Sequence, residues 1–591
     1  MILFVKKNYL FIGILIIQLI VLITSFSFFK QGFHSDEIYE YGFSNSYDLR
    51  VLEYSDNGIG LDRTWTDSDN FLEYISVESD NKFSYANIFK HASMDYYNPP
   101  LKLFLLHTIS SFFPGVFSRW FSFSINIVSF IVIQIFLYLL TMKMTKSIPA
   151  SIACICLFGF SAGCFNSMTF LRMYAMGMAI SIVFLYFSYL LFFEKKKNKI
   201  ILDLIAIFIS LFCGAYTLHL FLVYAFSIVL VICISYLILK DIKKMLGYGF
   251  TCLFAVGLSF LAFPKTVSDT MLSTDTYSYS MTKYSNPMQF RIYTYLTTLD
   301  NFGFHTSMYS NLWIKNVIAI ILFIVVVSIP LVVLIRKEEW FKNFYKSLSN
   351  RLILTIKKID GNFVFLIAII TTVIFVIHLA AARTSVYIMS IKFAARYVYI
   401  VYPILCLFAI LTFYYFINFI ITNKKIVSFL VVSAALIIPT YGQILNEQPY
   451  LMLHEEKGVS LDQIENDANC YILLQGNWFI VSFANELYDT NSYYFVNYDN
   501  YKDEVDCFEG IDADKPLYMI LDCSILITDE VRKIMEENPG SMYNTVYSDV
   551  MIDERDIISH YESLSCVDKL ELVGEDNVFE RPIKIFKVYL N

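Results

Sequence analysis

The sequence predicts an α-helical polytopic membrane protein of about 11 transmembrane helices, followed by a C-terminal extracytoplasmic α/β domain. Three observations predict it. Of 591 residues 57% are hydrophobic and only 16% charged, against about 25% charge in a typical soluble domain, and the mean hydropathy is +0.55. Apolar runs of spanning length recur through the first three quarters of the chain. Beyond residue 445 the composition turns acidic and rich in Asn and Asp. A core of one soluble domain could not hide that much apolar surface, because a large soluble chain still needs a charged exterior. The 45 basic and 52 acidic residues give a net charge of −7 with no continuous basic face, so nucleic acid is not an expected partner.

A spanning helix needs about 20 apolar residues. The runs that meet this are 8–28, 117–141, 148–166, 173–193, 200–217, 220–239, 246–263, 313–335, 362–382, 396–417 and 426–444. Basic residues fall between them on alternate sides: Lys6 and Lys7, Lys143 and Lys146, 195–199, Lys240 with Lys243 and Lys244, 336–358, and Lys424 with Lys425. The positive-inside rule puts these in the cytoplasm together with the N-terminus. The outer side then receives 29–116, the turns near Arg172 and Tyr216, the loops 264–312 and 383–395, and everything after 445. The first run also has the basic start and Ser-rich end of a signal peptide, but it is long enough to span. The expected domains are therefore 1–445, a membrane domain whose first outer loop is 29–116, and 446–591 outside the membrane.

In the tail, the runs 470–475, 492–498, 516–522, 569–573 and 583–590 read as strands, and 478–488 and 529–537 as helices between them. Four cysteines lie there, Cys470, Cys507, Cys523 and Cys566. Two disulfides in any of three pairings, or four free thiols, are both compatible with the sequence. No CxxC or Cys/His zinc spacing occurs.

The densest chemistry follows the first span. His34-Ser35-Asp36-Glu37 places two adjacent carboxylates close to the membrane surface; they read either as a capped helix start or as a base where a lipid headgroup arrives. Further on, Asp95-Tyr96-Tyr97-Asn98-Pro99-Pro100-Leu101-Lys102 reads as a helix start, with Asn98 as cap and proline at the first helical position. The helix should run over 101–113 and stop at Pro114-Gly115. At 1.5 Å per residue it reaches roughly 20 Å, short of a hydrocarbon core of about 30 Å. Its free N–H groups and Lys102 suit a phosphate, and the competing reading of Lys102 is a snorkelling surface lysine. Arg172 in Phe170-Leu171-Arg172-Met173-Tyr174 and Arg396 in Arg396-Tyr397 open spans at their outer ends, where an arginine either meets a partner or snorkels. His219 is a helix-end histidine, and Arg383 and Lys392 read as ordinary loop charges. The loop 264–312, with Arg291 and His305, is rich in hydroxyls and long enough to be a lid.

In order and sidedness these residues resemble the GT-C superfamily of membrane glycosyltransferases, in particular the bacterial relatives of protein O-mannosyltransferases (glycosyltransferase family 39-like) and of the lipid A aminoarabinose transferase. The resemblance is carried by Asp36-Glu37 after the first span, Asp95 before Pro-Pro-Leu, Arg172-Met173-Tyr174, and Arg396-Tyr397 with Pro403 beyond. It covers about 1–445. Asn98 stands where the family usually has His, one residue farther from the Asp.

The resemblance implies transfer of a sugar, with inversion, from a polyprenyl-phosphate donor to an envelope glycan, lipid or protein in the cell membrane. Asp36 would be the base and Glu37 would orient the acceptor or Asp36. Arg172, Arg396 and Lys102 would meet the charge on the leaving phosphate, with Asp95, Tyr174, His219 and Tyr397 lining the substrate. No cofactor is implied beyond room for a divalent ion, for which Asp36, Glu37 and Asp95 are oxygen ligands in type. The main alternative is a multispan transporter or lipid-linked sugar flippase. It would be expected to show repeated halves and broken helices at mid-membrane, and no repeat is visible in the sequence.

Overall fold

The computed structural model describes residues 2–264 with breaks at 31, 50, 52–62, 95–98 and 194–198, then 365, 368–374 and 395–445 with a break at 422, and 457–591 with breaks at 459, 510, 512–513, 538–550 and 579–580. The expected span 313–335, most of 362–382, the loop beyond residue 264, and Arg383 and Lys392 lie outside the described residues.

In chain order the helices are α1 (Ile2–Phe29), α2 (Ser35–Asn45), α3 (Asp69–Ile75), α4 (Tyr85–Met94), α5 (Leu101–Ser110), α6 (Arg119–Thr145), α7 (Ile148–Gly159) and α8 (Ala162–Thr169). They continue as α9 (Tyr174–Phe193), α10 (Ile200–Ala215), α11 (His219–Ile238), α12 (Ile242–Ala262), α13 (Tyr402–Ile420), α14 (Lys424–Leu445), α15 (Asp529–Glu537) and α16 (Glu554–Glu562). A 3₁₀ helix, Ala395–Val401, leads into α13. The chain divides into two compact units. One comprises Met1–Ser27, Asp95–Lys102 and Ser122–Leu451, and the other Phe28–Met94, Leu103–Phe121 and Met452–Asn591.

The first unit is helical. Among the described residues six helices are long and apolar enough to cross a membrane: Tyr9–Phe29, Arg119–Thr145, Tyr174–Phe193, His219–Ile238, Ile242–Ala262 and Val398–Asn418. The chain is thus a multi-pass membrane protein. Helix α10 has 16 residues, about 24 Å at 1.5 Å per residue, below the thickness of the hydrocarbon core.

The run 148–166, expected as one span, is instead two helices bent by 56°. The cause is local. Ser161 caps a new helix, its Oγ accepting from the Cys164 N–H at 3.1 Å, and such a cap restarts the helix in mid-run. Just before the bend, Gln18 Nε2 donates to Ile155 O at 2.9 Å and Gln134 Nε2 to Gln18 Oε1 at 2.9 Å. Gly159 makes room for this knot of α1, α6 and α7, since a Cβ there would lie 2.3 Å from Gln18 Nε2.

The second unit is built on a seven-stranded sheet. Its strands are β1 (Thr66–Asp67), β2 (Lys457–Gly458), β3 (Asn469–Leu474), β4 (Ser492–Asn497), β5 (Leu517–Asp522), β8 (Val567–Val578) and β9 (Arg581–Leu590), in the order β1-β4-β3-β5-β9-β8-β2. A separate pair joins β6 (Leu526–Ile527) and β7 (Ile552–Asp553) in parallel. Strands β4, β3 and β5 are parallel, with Cys470 opposite Tyr493 and Tyr518. Every residue of β3 and β5 is buried, as strands with both faces covered must be. The strands expected at 470–475, 492–498, 516–522 and 583–590 coincide with β3, β4, β5 and β9 within about one residue, and 569–573 lies inside β8. The helix expected over 478–488 is instead a 3₁₀ helix, Asn477–Phe483, followed by one α-turn, Ala484–Leu487. All four tail cysteines are free thiols. Burial pushes Cys470 and Cys507 up to about 12.

Residues 63–71 of the first loop build part of this unit. Thr66 pairs with Tyr493 across β1 and β4. Arg63 donates to Phe495 O at 3.0 Å and pairs with Glu504 at 2.6 Å, and Trp65 Nε1 donates to Cys507 O at 2.8 Å. The Phe71 ring stacks on Tyr493 at 4.1 Å. Buried polar contacts tie the loop's own segments together. Asn45 Nδ2 reaches Ile75 O at 2.9 Å and Ser110 Oγ at 3.2 Å, and His107 lies between Ser44 O at 2.7 Å and the Ser84 N–H at 3.1 Å. The Ser84 contact makes Nε2 an acceptor, which leaves the proton on Nδ1 for Ser44. Burial holds His107 below the usual histidine range.

Candidate functional site

In the second unit the acidic pair divides its labour. His34, not Asp36, caps α2: its Nδ1 accepts from the Asp36 N–H at 2.9 Å. Glu37 closes the box by accepting the His34 N–H at 2.8 Å, the reciprocal arrangement that satisfies two orphan donors of a helix start. Glu37 is also fully buried against Lys30, with Nζ–O distances of 2.7 and 2.9 Å. Burial lowers the Lys30 ammonium from its ordinary value, and the Glu37 carboxylate pulls it back. Arg119 donates to the Lys30 carbonyl. Asp36 differs. Its side chain is 33% exposed and one carboxylate oxygen lies 3.8 Å from His34 Nδ1. A carboxylate in the first turn is favoured by the helix dipole, and Asp36 is reachable from solvent where Glu37 is fully buried.

Sequence reasoning singled out neither His34 nor Lys30. Only the spacing of Lys30 to Glu37 could have pointed to the ion pair. Removing Glu37 alone should be costly: Glu37→Ala strands a buried ammonium and is expected to destabilise the protein by about 3–5 kcal/mol. Lys30→Met with Glu37→Leu should restore most of that, as read by denaturation in detergent. Equal stability of Glu37→Ala and wild type would show the pair to be dispensable.

In the first unit the start of α5 and two turns come together. The Leu101 N–H donates to Tyr216 O at 3.0 Å, in the turn that leads to His219. Lys102 Nζ donates to Leu171 O at 2.6 Å, in the turn between α8 and α9 that carries Arg172. Lys102 is 1% exposed and Arg172 6%, so neither snorkels at the surface. The Leu101 N–H is thus engaged within the unit. The helix also ends at Ser110 rather than Phe113. At about 15 Å it is shorter still than expected, and the chain leaves through Gly115 at φ +71°, a conformation that glycine adopts without a Cβ clash.

The fourth contribution comes from the 3₁₀ helix Ala395–Val401. In a 3₁₀ helix residues three apart eclipse, so Arg396 and Tyr399 share one face, and Tyr402 follows as the first residue of α13. The Tyr399 ring meets Tyr174 edge-on at 5.8 Å and Tyr402 at 5.2 Å. Arg396 is half-buried, and His219, the first residue of α11, is half-buried too. The structure therefore groups Lys102, Arg172, Tyr174 and Arg396 around adjoining turns of one unit, with His219 linked through Tyr216. Asp95 and the Tyr397 side chain lie outside the described residues. Among the described residues no group of three or more His, Cys, Asp or Glu side chains could hold a metal ion.

Neither a protein-family model nor a curated protein matches the chain. Among solved structures, ArnT from Cupriavidus metallidurans bound to undecaprenyl phosphate is similar over 98% of both chains at 8% identity, with a TM-score of 0.34. That is too distant to assign a role to any residue.

Proposed function

We propose that the chain is an inverting GT-C type glycosyltransferase, moving a sugar from a polyprenyl-phosphate donor to an envelope glycan, lipid or protein. The acceptor would be met at the outer face of the cell membrane, with the N-terminus cytoplasmic and the tail outside. One observation carries this reading: two cations, Lys102 and Arg172, are buried at a single turn of an apolar helical unit, Lys102 being bonded to the residue that precedes Arg172. Burying one cation near hydrocarbon is costly and burying two side by side more so. Two cations placed at one turn are what an anionic ligand would meet, and a lipid phosphate arrives at membrane depth.

In the proposed reaction the acceptor oxygen attacks the anomeric carbon while its proton passes to Asp36. The bond from that carbon to the phosphate oxygen breaks, and its electron pair leaves on the phosphate, which gains one negative charge. A phosphate leaves without a general acid, so a single carboxylate base suffices. Lys102, Arg172 and Arg396 meet the new charge. Glu37 holds the first turn of α2 and thereby orients Asp36. Tyr174, His219, Tyr397 and Asp95 line the sugar and carrier.

The test is incubation of the purified protein with a panel of polyprenyl-phosphate sugars and envelope extract, following release of polyprenyl phosphate. Release that depends on the sugar is expected. Lipid translocation without release would favour a flippase instead. Within the same assay Arg396→Lys should lower transfer roughly tenfold or more despite keeping the charge, since an ammonium cannot replace a bidentate fork on phosphate. An unchanged rate would remove Arg396 from the phosphate.

A further inference from the structure

We infer that Asn126, a residue without an assigned role, is a positioning residue for Arg172, acting through the backbone of the turn that carries it. The ligand it serves rests on the proposed function; the clamp itself rests on geometry. Helix α8 ends at Thr169 and α9 begins at Tyr174, leaving a non-helical turn inside an apolar unit. Such backbone needs internal hydrogen-bond partners, because hydrocarbon offers none.

Side chains of the preceding helices supply them. Asn126 Nδ2 donates to Met168 O at 2.9 Å and to Phe170 O at 3.0 Å. Ser122 Oγ donates to Leu171 O at 3.2 Å, beside Lys102 Nζ. Ser122 and Asn126 stand four residues apart on α6, one above the other on the same face. Phe170 O also accepts the Arg172 N–H at 2.8 Å. The amide of Asn126 therefore fixes the very carbonyl that sets the backbone of Arg172.

Asn126 is 0% exposed. An apolar side chain of its size would pack there without the desolvation cost of an amide, so its two donors are what the position uses. Asn126 reaches Arg172 through the shared Phe170 carbonyl, which makes it a positioning residue and not a catalytic one.

The test compares Asn126→Leu with Gln134→Leu, an equally buried amide on the same helix that ties α1 and α7 and not this turn. In Asn126→Leu, amide hydrogen exchange across 168–173 should accelerate while α11 stays protected. Affinity for undecaprenyl phosphate in detergent should fall about 10- to 10²-fold, the usual result of misplacing a contact by about an ångström. In an Arg172→Ala background the same change should add nothing, as expected for two residues acting as one unit. Gln134→Leu should leave both readouts at wild-type values.

Unchanged exchange at 168–173, a fully additive loss with Arg172→Ala, or an equal loss in Gln134→Leu would each overturn the inference. If Asn126→Leu does not fold, Asn126→Ser, which keeps one donor, should give intermediate exchange; wild-type exchange in it would overturn the inference as well. A wild-type protein that fails to bind undecaprenyl phosphate would sink the proposed function, while the exchange measurement still decides the clamp.

Discussion

Asp36→Asn is expected to lower sugar transfer by about 10²- to 10⁴-fold, the contribution of a positioned general base, while leaving the protein as stable as the wild type. The structure makes this substitution clean. The cap of α2 uses the Asp36 backbone N–H, received by His34 Nδ1, and the capping box is closed by Glu37. An amide of the same shape disturbs neither. Asp36 is 33% exposed, whereas the members of the Lys30–Glu37 pair are 3% and 0% exposed, so removing its charge leaves that buried pair intact. What the substitution takes away is basicity at a partly exposed oxygen. The assay is release of polyprenyl phosphate by equal amounts of folded wild type and variant. Turnover within a few fold of wild type would take Asp36 out of the mechanism, and a matching drop in melting temperature would make its role structural.

The contrast between Asp36 and Glu37 marks how far the sequence was legible. Adjacent carboxylates after a span were visible as chemistry, but their division of roles depends on Lys30 and His34, which acquire meaning only when the chain turns back on itself. Elements set by local pattern were readable: β3 and β5 are short continuous apolar runs, Cys470-Tyr471-Ile472-Leu473-Leu474 and Leu517-Tyr518-Met519-Ile520-Leu521, and α15 occupies the expected 529–537.

Elements set by distant partners were not readable. Strand β1 is two residues long and exists because Tyr493, more than four hundred residues later, receives it. The bend at Ser161 was hidden inside an unbroken apolar run, where hydropathy outweighs a single cap residue. In the first unit the order of Lys102, Arg172 and Arg396 along the chain was legible, but not that Leu171 O and the Tyr174–Tyr399 contact draw their turns together. Asn126 gave no signal at all, being one amide in a helix whose other polar residues look alike.

Lys102→Met separates the two things that a buried lysine can be. If Lys102 is a strut for the turn, losing its bond to Leu171 O costs stability, about 1.5–3 kcal/mol for a charged donor. If it is held ready for an anion, the ammonium is buried at a desolvation cost that an apolar side chain of its length does not carry. Methionine has nearly the same length and no charge, and Leu171 O keeps Ser122 Oγ at 3.2 Å. The expected result is therefore a melting temperature equal to or above that of wild type, together with a fall in transfer of about 10²- to 10³-fold, the effect of removing one donor from a developing oxyanion. Undecaprenyl phosphate should also stop raising the melting temperature, since a ligand stabilises only what it binds. A variant that is less stable but turns over normally would return Lys102 to the role of strut, and would leave Arg172 as the sole buried cation on which the phosphate reading of that turn rests.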